Sequence, residues 1–292
     1  MAALDDFPEI VKRHEPLAPY TNLRIGGPAD LLVQPRNREE LASVVRQCFR
    51  EKLPLRVIGK ACNVLVRDEG VRGVVLRLTE PAFTEIHVSG QRVTAGAGAS
   101  VPALISQAAQ SGLAGLETLV GIPGTVGGAL RCNAGNRSGD IGQFVAQVEV
   151  LDTKGEVQVR ERDELQFTYH WSNLDDPVLL SAVFRLEPDS PDAIVKRMRK
   201  AWILRRAGQP LTYQAASRIF TNPRGLSASA LIEQAGLAKT RVGGAEVSER
   251  DAGFIVVHPG GSSRDLLRLI DLVRSRVHER FGVELELEIR VW

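Results

Sequence analysis

Along the chain the spacing of apolar residues switches between a helical and a strand period, which predicts alternating helices and strands and no 20–50-residue repeat. The first amphipathic segment follows Asn37: Leu41, Val44, Val45, Cys48 and Phe49 share one helical face, and Asn37 with Glu40 reads as a capping box. Short apolar runs at 55–58 and 74–78 predict buried strands, with GKACN (59–63) leading from the first into Val64, Leu65 and Val66. A strand over 92–95 passes through GAGAS (96–100) into a helix with Pro102 in its first turn, stopping at Gly112. Strands are expected at 147–152 and 179–187, with a turn at 152–155 opening the meander that the second of them closes.

The pattern changes near residue 190. Asp189, Ser190 and Pro191 start a long helix to about Arg206 with Ile194, Met198 and Trp202 in step, stopped by Gly208-Gln209-Pro210. Beyond it the spacing predicts a short helix over 227–236, a strand at Phe254–Val257, and a helix at Ser263–Phe281 with Leu266, Leu269, Ile270, Val273 and Val277 on its core face. A half-buried strand is expected over 284–291, where polar and aliphatic residues alternate.

Length and composition narrow the class. The 292 residues allow one large domain or two to three smaller ones. With 43% hydrophobic and 25% charged residues the chain is globular, and 37 basic against 35 acidic side chains give a net charge of +2, which argues against a nucleic-acid-binding surface. No run of 18 uncharged apolar residues occurs and the N-terminus is acidic, so a cytoplasmic protein without a membrane partner is expected. Cys48, Cys62 and Cys132 form an odd set without CxxC spacing, and His14, His87, His258 and His278 are scattered, so neither a disulfide framework nor a metal site is expected.

Glycine is the informative residue. Seven fall within 121–142, GIPGTVGGALRCNAGNRSGDIG, a density that suits backbone nests for an anion such as pyrophosphate or, alternatively, a packed surface loop. Gly96-Ala97-Gly98 with Glu117 about 20 residues on imitates a dinucleotide fingerprint, but Val101 occupies the third glycine's place, so a tight strand-to-helix turn is expected. Lys196, Arg197, Arg199, Lys200, Arg205 and Arg206 form an acid-free basic run, read as a solvated helix face or a contact to a diphosphate.

Four blocks in order, RIGGPADLLVQP (24–35), GLETLVGIPGTVGGALRCNAG (115–135), GLAKTRVGGAEVSERDAGFIV (236–256) and RFGVELELEIRVW (280–292), resemble the UDP-N-acetylenolpyruvoylglucosamine reductase (MurB) family in its short form. The resemblance implies an α+β chain: an FAD-binding fold of the vanillyl-alcohol-oxidase (PCMH) type in two subdomains, 1–70 and 71–189, and a C-terminal α+β substrate domain, 190–292. It implies a monomeric flavoprotein that passes electrons from NADPH through FAD to the enolpyruvyl group of a small-molecule UDP-sugar, UDP-N-acetylglucosamine enolpyruvate, giving UDP-N-acetylmuramate for peptidoglycan.

Carried over residue by residue, the resemblance puts Ile122, Pro123, Gly124, Thr125, Gly127, Gly128, Ala129, Asn133 and Gly135 on the flavin loop. Ile58, Gly59, Lys60, Ala61, Cys62, Asn63 and Val64 fall on the pyrophosphate loop, which reads GGGSN in the family and GKACN here. Lys60 then meets a phosphate or points to solvent, and Cys62 is a flavin tether or an unreactive buried thiol. The family's YR-x-S arginine becomes His170, after Tyr169, and the serine of GSxFKNP becomes Arg218, with Ser217 one residue early, Thr221 in the lysine's place and Asn222 kept. Tyr169 and Asn222 are expected to bind substrate, and Glu288 keeps the third catalytic position. The altered set leaves two readings: a reductase in which Arg218 takes over the electrostatic role and Ser217, His170 or a Glu288-held water gives the proton, or a diverged flavoprotein with another substrate or no turnover.

Overall fold

Two separate hydrophobic clusters, each closed by its own sheet and helices, organise the chain. The structure is a computed structural model that describes residues 4–136, 138–208 and 215–292. Unit 1 gathers Met1–His14, Asp30–Gly59 and Arg72–Leu204; unit 2 gathers Glu15–Ala29, Lys60–Val71 and Arg205–Trp292.

Unit 1 is built on a five-stranded antiparallel sheet in the order Val157–Glu161, Val145–Leu151, Val178–Arg185, Arg92–Gly96, Ile86–Ser89. The 152–155 turn closes the first hairpin of this meander, with Lys154 and Glu156 amides donating to Asp152 Oδ1 at 2.8 and 2.9 Å. Val93, Ala95, Val148, Val150 and Phe184 bury one side of the sheet in a cluster with Leu104, Ile105 and Ala108 of the helix Val101–Gln110. A four-stranded sheet in the order Val11–Pro16, Pro28–Val33, Val71–Leu76, Leu55–Val57 accompanies the helix Arg38–Arg50, which buries Leu41, Val44, Val45 and Cys48.

Three details differ from the sequence reading. Phe49 is exposed, because the last turn of its helix extends past the core. Asn37 caps Glu40 N–H at 2.9 Å, but Glu40 turns its carboxylate to Arg36, whose backbone and guanidinium N–H groups out-compete the Asn37 amide. The long helix runs Pro191–Gly208 with Ile194 buried, whereas Trp202 stands 43% exposed beyond the core it was expected to join. The Gln209-Pro210 stop signal lies outside the described residues.

Unit 2 has a four-stranded antiparallel sheet in the order Ala216–Arg218, Phe254–Val257, Ala245–Val247, Arg241–Val242. The helix Ser263–Phe281 buries the expected Leu266, Leu269, Ile270, Val273 and Val277 in one cluster with Ile255, Val257 and Leu65. A capping box between Ser262 and Asp265 starts that helix, and Gly282 ends it in the left-handed conformation. The strand expected over 284–291 shortens to Arg290–Val291. Residues 286–289 bond irregularly to the chain at 219–221, and only then does the backbone change partner to run parallel to Val64–Leu65. Among the described residues no helix is long and apolar enough to cross a membrane.

Phe184 is fully buried in the centre of the unit 1 sheet. Phe184→Ala is expected to lower unfolding free energy by about 3–5 kcal/mol, read as a lower urea midpoint; a change under about 1 kcal/mol would mean the cluster is not continuous.

Candidate active site

In unit 1 the glycine-rich stretch is fastened to the Gly96–Ser100 turn. Gly127 and Val126 amides donate to the Ala97 and Ala99 carbonyls, both at 2.8 Å, and Val101 N–H donates to Gly124 O at 3.1 Å. Gly98 serves packing here, since a Cβ would strike the Leu78 carbonyl; Glu117 is buried and receives Arg197 Nε at 2.8 Å. The segment is therefore the tight turn the missing third glycine suggested. Arg197 also meets Asp189 at 2.7 Å, so the basic run is partly neutralised.

With those bonds made, the loop turns other donors outward. Gly124, at φ +122°, and Thr125 have amides that reach no protein acceptor among the described residues, while Thr125 Oγ1 caps the helix Val126–Arg131 through Gly128 N–H at 3.4 Å. Gly59 packs directly on the Thr125 side chain. Asn133 is buried in the left-handed conformation and spans two segments: its Nδ2 donates to Thr168 O at 2.8 Å and its Oδ1 accepts from Gly142 N–H at 3.0 Å. Asn133 thereby ties the glycine-rich loop to the chain bearing Tyr169 and His170. Tyr169 is exposed, and its ring meets the His170 ring edge-on at 4.2 Å.

In unit 2 the loop 60–63 is held by its carbonyl oxygens. Ser217 Oγ donates to Cys62 O at 3.0 Å, Arg290 N–H to Asn63 O at 3.1 Å, and Asn63 Nδ2 to Glu288 O at 3.1 Å. The amides of Lys60, Ala61, Cys62 and Asn63 consequently find no protein acceptor among the described residues. Four successive free amides are a donor set for an anion. Ala61 has φ +46°, a conformation that favours the glycine the resemblance places there. Burial pushes the Cys62 thiol up to about 11, the state of an unreactive thiol rather than a nucleophile. Lys60 is exposed.

The same unit brings Arg218 and Glu288 together. Ser217 and Arg218 are consecutive in a strand paired with Phe254–Val257, so they point to opposite sides. Ser217 faces inward, with its hydroxyl committed to the Cys62 carbonyl. Arg218 lies over the Phe254 ring at 4.9 Å and pairs with Asp251 at 3.0 Å. Glu288 N–H donates to Ile219 O at 2.8 Å, which sets it beside Arg218. Desolvation pushes its carboxyl up to about 7, opposed in part by the Arg218 charge. Asn222 Oδ1 accepts from Ala228 N–H at 3.0 Å at the start of the helix Ala228–Gln234, and Thr221 N–H donates to Glu286 O at 3.0 Å. Tyr169 and His170 belong to unit 1 and Ser217, Arg218, Asn222 and Glu288 to unit 2. Asp251 and Phe254 were missed by sequence reasoning, although an arginine in a serine's place signals that a counter-charge is needed. A cavity of about 350 Å³ in unit 1, lined by Arg38, Glu85, His87, Glu149 and Ser181 among others, contains none of the expected site residues.

Comparison with known proteins covers nearly the whole chain. Residues 209–292 match the family described as UDP-N-acetylenolpyruvoylglucosamine reductase, C-terminal domain, and residues 29–160 match the FAD binding domain family. The chain is 45% identical to UDP-N-acetylenolpyruvoylglucosamine reductase 2 of Symbiobacterium thermophilum, covering 98% of this chain and 93% of that one. It is 42% identical to the reductase of Moorella thermoacetica, covering 97% and 93%. The crystal structure of the reductase from Thermus caldophilus superposes with a TM-score of 0.84 at 37% identity, over 97% of this chain and 98% of that one. The FAD-binding match fits the donor sets found above, since the outward amides of the glycine-rich loop in unit 1 and, separately, those of loop 60–63 in unit 2 each suit an anion.

Asn133→Ala removes two hydrogen bonds from buried groups and leaves alanine at φ +42°. The expected loss is about 2–4 kcal/mol of stability together with lower FAD content, by urea unfolding and absorbance; unchanged values would show that Asn133 does not organise the loop.

Proposed function

The chain belongs to the UDP-N-acetylenolpyruvoylglucosamine reductase family, and on that premise we propose that it is an FAD-dependent reductase taking electrons from NADPH and converting UDP-N-acetylglucosamine enolpyruvate to UDP-N-acetylmuramate. The product serves peptidoglycan synthesis in the cytoplasm, the protein acting as a monomer. FAD is assigned to the region before residue 190 and the UDP-sugar to the region after it. The observation that carries the reading is the juxtaposition of Glu288 and Arg218 in unit 2, because the reaction needs a proton and a positive field and this pair offers both.

Bound FAD supplies the hydride chemistry. The outward amides of Gly124 and Thr125 in unit 1 would hold a phosphate of FAD, and in unit 2 the amides of 60–63, with Lys60 as an added point charge, are by themselves a second such donor set. Ile122, Pro123, Gly127, Gly128, Ala129 and Gly135 shape the flavin loop, and Ile58 and Val64 flank the pyrophosphate loop. Arg218 provides the positive charge that steadies negative charge developing next to the substrate carboxylate, the duty an arginine at position 170 has in the family. An imidazole at position 170 lacks the planar two-pronged fork of a guanidinium and is not its equivalent.

Glu288 is the proton-holding group. Its carboxyl is largely protonated below pH 7 and ionised above, so the protonated fraction falls as pH rises through about 7. The sign for stability is the same. The folded value lies above the ordinary 4.5, so the folded protein binds the extra proton between about pH 4.5 and 7, and the contribution is full below 4.5 and lost as pH rises through 7. Ser217 acts by holding the Cys62 carbonyl, and Tyr169 and Asn222 are assigned to the substrate.

Purified protein is expected to be yellow and to oxidise NADPH only after UDP-N-acetylglucosamine enolpyruvate is added. A colourless protein that takes up no FAD contradicts the flavin assignment, and a yellow protein inert toward this substrate contradicts the reaction. Glu288→Gln is expected to lower kcat by roughly 10²-fold or more with FAD content unchanged, and to abolish the fall in kcat through pH 7. Equal loss of turnover and FAD would make Glu288 structural.

A further inference from the structure

Arg218 sits in a socket formed by a different stretch of chain. Its Nη2 is 3.0 Å from Asp251 Oδ2 and its guanidinium carbon is 4.9 Å from the centre of the Phe254 ring. Asp251 is itself fixed: its Oδ1 accepts the Ser229 hydroxyl at 2.5 Å and the Gly253 amide at 2.9 Å. Position 253 is tight, since a Cβ there would lie 3.2 Å from Arg218 Nη1 and 3.0 Å from Asp251 Oδ1 and both would have to give by a few tenths of an ångström. Asp251 and Arg218 are 18% and 33% exposed, so the pair is screened by water only in part.

A second carboxyl, that of Glu288, feels the same guanidinium charge. Glu288 N–H donates to the carbonyl of Ile219, one residue beyond Arg218. Charged and titratable groups on the neighbouring stretches are Lys60, the neutral Cys62 thiol, Arg218 and Arg205, whose like charge acts on Arg218, and its own segment contributes Glu286 and Arg290; the Arg218 charge opposes the desolvation of the Glu288 carboxyl. An arginine placed near a desolvated carboxyl would ordinarily form a charge-assisted pair with it. Among the described residues, however, the ion pair of Arg218 is with Asp251 and none joins it to Glu288.

We propose that Asp251 is a positioning residue that holds the Arg218 guanidinium in this socket and thereby withholds it from Glu288. The bond matters because the two carboxyls are alternatives: with Asp251 engaged, Arg218 stays close enough to present positive charge but does not pair with Glu288, which keeps its proton near neutrality. Removing the Asp251 charge releases the guanidinium to Glu288, and a full opposite charge at contact distance favours the ionised carboxylate. The role rests on the reading of Glu288 as the proton-holding group.

The test is Asp251→Asn in the FAD-loaded, full-length protein. The pH midpoint of kcat is expected to fall by one unit or more, giving about fivefold or greater loss of rate at pH 7 that is regained at lower pH, with FAD content unchanged. Asp251→Glu should restore the midpoint, and Asp251→Asn combined with Arg218→Met should return it upward, because the competing charge is gone. Carbon-13 NMR titration of the Glu288 carboxyl without substrate reads the same shift independently of turnover, so an inactive protein leaves this inference decidable. A Glu288 midpoint in Asp251→Asn that is unmoved or raised overturns the proposal; lowered stability with an unmoved midpoint would give Asp251 a structural role only.

Discussion

Ser217 Oγ on the Cys62 carbonyl, with Arg290 N–H on the Asn63 carbonyl, fixes the orientation of the loop on which unit 2's chemistry depends. A peptide unit has two polar ends, and tying down the oxygens turns successive N–H groups the other way. That orientation makes Lys60, Ala61, Cys62 and Asn63 a row of donors although the loop carries side chains at each of these positions. It has a conformational cost, carried by Ala61 at φ +46°. It also explains the chain's last residues: the backbone leaves positions 219–221 and runs beside Val64–Leu65, where Arg290 meets Asn63 and Asn63 meets Glu288.

Because the anchors bring strand Ala216–Arg218 and residues 286–290 to the same loop, they also set Glu288 next to Arg218. Two effects of opposite sign then act on one carboxyl. Burial disfavours its charge, the guanidinium favours it, and burial prevails, leaving the group poised near pH 7. The resemblance implies a serine where this chain has Arg218, and the Asp251–Phe254 socket is the local structure that holds the guanidinium there.

Much of this was legible in the sequence where one residue's neighbours settle its state. The helix Ser263–Phe281 has a core face at regular spacing, and the glycine density at 121–142 could not belong to a regular element. The reading failed where periodicity continues but the surroundings stop. Phe49 and Trp202 keep step with their helices past the end of the core, and the alternation at 284–291 survives although its hydrogen-bond partners change midway. For the candidate site, the ordered blocks single out Glu288 and the glycine-rich loop. The function of Ser217 was not legible, because it bonds a carbonyl 155 residues away, and Asp251 lies 33 residues from the arginine it holds.

The protonation state of Glu288 is where fold and chemistry meet, and it can be observed directly. Infrared spectra of the flavin-bound protein, differenced against Glu288→Gln across a pH series, should show the carbonyl band of one neutral carboxylic acid that titrates with a midpoint near pH 7. A Glu288 carboxyl already ionised at pH 5 would contradict the account.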